Sequence, residues 1–245
     1  MQTGKEAGAD ALIRRLAATV GEIERPHPTR VAVEGRSAAG KTTFADALAD
    51  ALAEALAPSG RQVLRASIDD FHPPGHAARS AAGGYTPQRL YDEGFDYAAF
   101  ERLLLQPLGP GGDRRVRLAL RDALLDRPAA ETVVLANADA IAIVDGAFLL
   151  RPELKAAWDL VIWLDVSFET MLERAARRDV AWVGDAEAVR ERYRSRWIPT
   201  HELYEATGAR EAAHIVVDNE DPRRPRLVRF NPSPARAAGR APRRR

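Results

Sequence analysis

Cysteine is absent from the 245 residues, which removes disulfides, thiolate nucleophiles and cysteine-bound zinc. Five scattered histidines are the only soft ligands, so any metal chemistry has to rest on oxygen. No run approaches the roughly 18 apolar residues of a membrane span. The opening MQTGKEAGAD has neither the basic nor the apolar part of a signal peptide, so the chain reads as cytoplasmic with no membrane partner. Lysine is scarce too: Lys5, Lys41 and Lys155 are the only three among 36 basic residues. Acid is missing from residues 222–245, which hold nine arginines. The formal charge of +1 therefore divides into an acidic body, about −8 by subtraction, and a basic end.

What is present is a core-forming body, 46% hydrophobic and long enough for one full-sized domain. Leu12, Leu16, Val20 and Ile23 recur at helical spacing, so residues 1–24 read as a helix packed on the core. Apolar runs at 29–35, 61–71, 140–145, 158–166 and 214–219 read as five strands. Helical stretches fall between them, at 41–57, after Thr86-Pro87, after Asp96, and at roughly 152–157, 168–179 and 186–206. DRRVRLALRDALLD, before Pro128, fits strand or helix equally. Strands apolar throughout and alternating with helices predict an α/β fold, a mostly parallel five-stranded sheet covered on both faces. The domain is expected over 25–228, with a basic, disordered tail at 229–245.

VAVEGRSAAGKTTFADAL, residues 31–48, fits G-x-x-x-x-G-K-S/T as Gly35, Gly40, Lys41 and Thr42, between a strand and a helix. Such a loop wraps its backbone N–H groups around phosphates, and the helix start adds partial positive charge. The expected ATP-binding set is Gly35, Arg36, Ser37, Ala38, Ala39, Gly40, Lys41, Thr42 and Thr43, with Lys41 on the β- and γ-oxygens. Neither D-x-x-G nor N-K-x-D occurs, which argues against a GTP switch. In SIDDFHPP, Asp69 and Asp70 leave the second strand where a carboxylate can take a proton from a hydroxyl or hold Mg2+. An acidic turn is the alternative. Pro73 and Pro74 break the helix that would pair His72 with His76, so both read as solvated loop residues. The four tryptophans read as core or lid packing.

At these residues the sequence resembles the uridine kinase branch of the P-loop kinases, the group that includes phosphoribulokinase and bacterial pantothenate kinase. The resemblance runs over roughly 28–228 and implies the P-loop NTPase fold with a helical lid at about 174–200. It implies Asp69 as the group acting on the acceptor hydroxyl, with Phe71 the following aromatic of D-x-F. In YDEGFDYAAF it matches Phe95 and Asp96 to a substrate-binding pair, with Tyr91 beside them, while Asp96 also suits a helix cap. It implies Asp145 of AIVDG as a support for Mg2+, together with Thr42 and Asp69. Arg174 and Arg178 of the R-x-x-x-R-D lid start are matched to the transferring phosphoryl group, with Arg177 a third candidate.

The sequence departs from uridine kinases where they carry a tyrosine and a histidine for the pyrimidine. VRLALRDALLDRP stands there instead, offering only Arg121 and Asp122. The lid R-G-R is replaced by DVAWVGD, with Arg192, Arg194 and Arg196 as substitutes from the next helix. The expected activity is ATP- and Mg2+-dependent phosphorylation of a primary hydroxyl, first of uridine or cytidine. Pantothenate, a sugar phosphate or a nucleoside monophosphate are alternative acceptors. A different class, a nucleotide-binding regulatory ATPase touching nucleic acid through its basic tail, predicts binding that falls steeply with salt. A homo-oligomer is left open.

Overall fold

The computed structural model describes residues 3–122 and 126–232. In chain order the strands are β1 (Thr29–Gly35), β2 (Val63–Ser67), β3 (Arg115–Val116), β4 (Arg121–Asp122), β5 (Arg127–Pro128), β6 (Val134–Leu135), β7 (Ile141–Asp145), β8 (Leu160–Asp165), β9 (Ile215–Asp218) and β10 (Arg226–Phe230). The helices are α1 (Thr3–Gly21), α2 (Lys41–Leu56), α3 (His76–Ala81), α4 (Pro87–Glu93), α5 (Tyr97–Phe100), α6 (Phe168–Val183), α7 (Ala186–Arg192), α8 (Ile198–Glu205) and α9 (Ala209–Ala212).

The main sheet has the order β10-β9-β8-β1-β7-β2. β2, β7, β1, β8 and β9 pair in parallel, and β10 joins the edge antiparallel. β1 and β7 are buried along their whole length, because a strand with neighbours on both sides and helices over both faces has no side left for water. Side chains alternate across the sheet. Val31 and Val33 join a core with Leu16, Val20, Phe44, Leu48 and Leu52 from α1 and α2. Ala32 faces the second core, with Phe100, Leu104, Phe148, Trp163 and Tyr204. Period two sends Glu34 to that second side as well, an acid at a fully buried position.

Several local expectations change. The sheet has six strands rather than five, because β10 adds at an edge where alternate residues stay exposed and the apolar run is too broken to stand out. Arg229 and Phe230, expected in the tail, belong to that strand, and the remaining tail residues 233–245 lie outside the described residues. The ambiguous 113–126 stretch supplies β3 and β4, which pair antiparallel with β6 and β5 respectively. The helix expected at 152–157 is a single 3-10 turn at Lys155–Ala157. Trp158 and Trp163 are core residues, while Trp182 is 72% exposed. No described helix is long and apolar enough to cross a membrane.

Candidate functional site

The parallel strands end on one edge of the sheet, where open α/β folds bind ligands. β7 lies between β1 and β2, and in register Asp145 stands beside both Val33 and Ser67. The loop leaving β1 and the turn leaving β2 therefore flank the same carboxylate. A cleft of about 530 Å3 opens there, lined by Lys41, Thr42, Asp69, Asp145, Arg174 and Arg178 among others.

β1 ends at Gly35, whose φ of 146° and position allow no side chain: a Cβ would stand 2.3 Å from the Leu164 carbonyl oxygen of β8. The chain then circles through Ala38, also left-handed at φ 55°, to Gly40, which caps α2 without a side chain. The first N–H groups of α2 consequently face the cleft, where an anion can accept from them. Lys41 Nζ donates to the Arg36 carbonyl (2.8 Å) across the loop. Burial pushes its pKa below the usual lysine value, against the opposing pull of Glu34, Asp69 and Asp145.

A set of buried polar contacts holds this loop. Arg36, expected among the nucleotide contacts, turns the other way: its guanidinium makes two 2.7 Å hydrogen bonds to Glu205 and lies 3.8 Å over the Phe168 ring. The Ser37 N–H donates to His201 Nε2 (3.0 Å). Burial, then Lys41 and Arg36, holds that imidazole well below its ordinary pKa, so it is the neutral acceptor this bond requires. Asn219 Nδ2 donates to the Ala39 carbonyl (2.7 Å). Glu34 accepts from the N–H of Gly35 (2.9 Å), the N–H of Leu149 (2.5 Å) and the Tyr204 hydroxyl (3.0 Å). Burial raises its pKa to about 7 even with Lys41 nearby. Glu205, His201 and Tyr204 all belong to α8.

Thr42 Oγ1 donates to Asp145 Oδ2 (2.7 Å), and Arg65 Nη2 donates to Asp145 Oδ1 (2.7 Å). No cluster of three or more histidine or carboxylate side chains shaped to hold a metal occurs among the described residues. The hydroxyl of Thr42 with the carboxylates of Asp145 and Asp69 is nevertheless a hard, all-oxygen donor set. It suits a Mg2+ held mainly by phosphate and water, which takes only one or two ligands from protein.

After β2, Ser67 caps the next turn by accepting from the Asp69 N–H (3.3 Å), and the Asp69 side chain faces the cleft. Asp70 points into the half-buried flank, where burial and the charges of Asp69 and Asp145 raise its pKa to about 6. Phe71 is fully buried, edge-on to Phe100 at 5.1 Å. Phe95 lines the cleft, but the other two members of the expected substrate set do not. Asp96 caps α5 by accepting from the Ala99 N–H (2.9 Å). Tyr91 packs against Phe148 and Tyr204, with Arg151 over its ring.

The histidines expected in solvent are in the cleft instead. His72 stacks between His76 (3.7 Å) and Phe95 (4.6 Å), and its Nδ1 lies 2.7 Å from the Gly94 carbonyl. Burial and the neighbouring His72 press the His76 pKa down to about 3. Pro73 and Pro74 do break the helix. Gly75, left-handed at φ 73°, then turns the chain so that α3 returns His76 over His72. Tightly spaced turn residues were the only available signal.

From the lid, Arg174 and Arg178 line the cleft and Arg177 does not. Arg174 bonds backbone rather than standing free: Nη2 donates to the Asn219 carbonyl (2.8 Å) and the Glu220 carbonyl (3.1 Å), and Nη1 reaches those of Ala38 and Ala39 (3.4 Å each). Arg178 donates to Asp179 (2.6 Å) and to the Tyr193 hydroxyl (3.0 Å). Burial works against its charge, and the Asp179 carboxylate outweighs that, for a net upward shift. Arg194, a substitute for the missing lid arginines, is bound to Glu187 at 2.7 Å.

Comparison with known proteins agrees with this architecture. The family profile described as phosphoribulokinase / uridine kinase matches residues 31–220. A solved structure of a candidate fructose transport system kinase from Silicibacter sp. TM1040 is 26% identical, with a TM-score of 0.62 over 79% of this chain and 94% of its own. A possible uridine kinase from Bacillus stearothermophilus is 21% identical, with a TM-score of 0.61 over 83% and 96%. D-glycerate 3-kinase from Cryptococcus neoformans is 13% identical, with a TM-score of 0.51 over 89% and 98%. No curated protein matches the sequence.

Proposed function

The chain belongs to the phosphoribulokinase/uridine kinase family, and from that premise we propose that it transfers the γ-phosphoryl group of ATP to a hydroxyl of a small molecule, in the cytoplasm. The observation that carries this reading is the shared cleft: the phosphate loop, Asp69, Asp145 and Arg178 line one space, with Phe95 and His72 as its far wall. The loop N–H groups and Lys41 hold the triphosphate. Thr42 and Asp145, with Asp69, would hold Mg2+, which neutralises phosphate charge when bound. Asp69 takes the proton of the acceptor hydroxyl as its oxygen bonds to the γ-phosphorus and the bond to the β-phosphate oxygen breaks, leaving ADP. Arg178, and Arg174 if it swings from its carbonyls, offset charge on the transferring group. Positioning and electrostatics supply the acceleration, with no covalent intermediate.

The nucleoside expected from sequence is supported by the flat shelf of Phe95, His72 and His76, which suits a ring. A non-nucleoside alcohol is favoured by the β4–β5 hairpin, where Arg121 is already bound to Asp126 (3.1 Å). Initial rates with ATP, Mg2+ and a panel of alcohols, with analysis of the phosphorylated product, separate these. Asp69→Asn is expected to lower kcat by about 10²- to 10⁴-fold on any accepted alcohol while AMP-PNP still binds. Turnover that survives this change rules out Asp69 as the base.

A further inference from the structure

Beyond the His72–His76 stack the cleft continues for about 420 Å3 between α3 and α7, lined by Ser80, Arg178, Trp182, Arg192 and Trp197 among others. Arg192 is part of this distal lobe and does not line the donor lobe, which has Arg174 and Arg178. Its Nη2 donates to Ser80 Oγ (2.5 Å), and Arg196 Nη1 donates to the Ser80 carbonyl (3.0 Å). Ser80 is buried, and both arginines are half-buried.

The contrast lies within one helical run. Arg190 pairs with Glu173 and Glu187, at 3.3 Å each, and Arg194 pairs with Glu187 at 2.7 Å. Arg192, which lines the distal lobe, and Arg196, held beside it on the Ser80 carbonyl, have only neutral partners, with no carboxylate at ion-pair distance among the described residues. Nearby acids are occupied: Asp179 by Arg178 and Tyr193, Asp126 by Arg121. Two guanidiniums four residues apart repel, and burial together with Arg192 depresses the pKa of Arg196. The turn joining them, Tyr193–Trp197, is π-helical, a distortion frequent at functional sites. A half-buried guanidinium left unneutralised at the end of a cleft, with a second one held on the same serine, has the chemistry of an oxyanion receptor.

We propose that Arg192 and the Ser80 hydroxyl, with the added positive charge of Arg196 on the Ser80 carbonyl, form a second anion subsite, and that the acceptor carries a phosphate or carboxylate at the end remote from the hydroxyl that is phosphorylated. This rests on the kinase reading for the word acceptor, but the subsite itself does not depend on turnover. The full chain is loaded with saturating AMP-PNP and Mg2+ to fill the phosphate loop, then titrated calorimetrically with inorganic phosphate and, separately, acetate. One further anion is expected to bind, and Arg192→Gln or Arg196→Gln should weaken it by about 10-fold or more, with the melting temperature checked for each. Arg192→Lys should recover part of the loss. The stronger of the two probes identifies the terminus as phosphate or carboxylate.

In parallel, rates are compared for D-ribose 5-phosphate against D-ribose, D-glycerate against glycerol, and uridine. A lower KM for a charged member, lost in the Gln variants, supports the subsite. No anion bound to the loaded protein, or equal binding in folded Gln variants, overturns it. Arginine-dependent phosphate binding with no alcohol phosphorylated sinks the kinase reading and leaves the subsite. Phosphorylation of charged and uncharged members alike, unaffected by the Gln variants, does the reverse.

Discussion

The two ends of the cleft are held in opposite ways. At the phosphate end nearly every polar group that shapes the loop already has a partner: Arg36 has Glu205, Ser37 has His201, Ala39 has Asn219, and Glu34 has two N–H groups and a hydroxyl. At the far end, half-buried rings stack on one another and Arg192 and Arg196 rest on a serine. A triphosphate is the same in every turnover, so its receptor can be finished before the ligand arrives, with no reorganisation left to do at reaction. The acceptor end keeps its strongest donors on weak neutral partners that a ligand can replace. One helical run connects the ends, since α7 bears Arg192 and α8 grips the phosphate loop.

If the phosphate end is a prebuilt general receptor, its loss should be indifferent to the acceptor. Lys41→Met is expected to lower kcat/KM by about 10³-fold, by the same factor for every alcohol the enzyme phosphorylates. The check is to measure the ratio for two accepted alcohols of different charge. A factor that varies tenfold or more between them would erase the division between the two ends, because Lys41 would then be reading the acceptor.

The same division explains what the amino-acid sequence reveals. The phosphate loop is contiguous, so Gly35, Gly40, Lys41 and Thr42 announce it, and the β-branched run before it and the alanine-rich helix after it are local signals too. Apolar strands placed the carboxylates of Asp69 and Asp145 at strand ends, and the parallel sheet brings them to one edge. The acceptor end is assembled from residues 69–80, Phe95 and the 178–197 run, and no local pattern encodes that meeting. His72 and His76 illustrate the failure: two prolines exclude helical pairing, but a left-handed glycine achieves the contact by another route. Asp96 and Tyr91 have suitable chemistry, yet the α5 cap claims one and the Phe148–Tyr204 packing the other. Glu34 was hidden for a different reason. Within TRVAVEG it is a lone acid in an apolar strand, and only the side of the sheet it faces, with Tyr204 and the Leu149 N–H waiting, gives it a role.

Glu34 also allows the prebuilt end to be tested without substrate. Its pKa rises from 4.5 to about 7 on folding, so the folded chain binds this proton more tightly than the unfolded chain. Its contribution to stability is therefore complete below about pH 4.5 and is lost as the pH climbs to about 7, by about 3 kcal/mol at 1.36 kcal/mol per unit. Glu34→Gln carries no proton to release, though its amide nitrogen meets N–H groups and lowers stability at every pH. Urea unfolding across this interval should show the wild type losing about 3 kcal/mol relative to the variant. Parallel pH profiles would mean that the loop's buried acid is not strained by its surroundings.

The smallest expected effect concerns the basic end of the chain, which the regulatory reading makes essential and the kinase reading makes dispensable. Cutting at residue 222 would confound the two, because it removes β10 with the Arg226–Asp218 ion pair and the Arg229 bond to the Arg210 carbonyl. Ending the chain at Pro232 spares that strand and deletes five arginines, at 236, 240, 243, 244 and 245, which takes the formal charge from +1 to −4. Every described residue that lines the cleft is retained, so kcat and both KM values should stay within about 2-fold. Any binding of single-stranded RNA should weaken, with its salt slope reduced by up to about 0.7 for each phosphate that the deleted arginines had neutralised. A truncated chain that keeps its RNA affinity would move that interaction onto the acidic body. One that loses turnover would make the arginine-rich end part of the kinase, because the cleft and every strand of the sheet are unchanged.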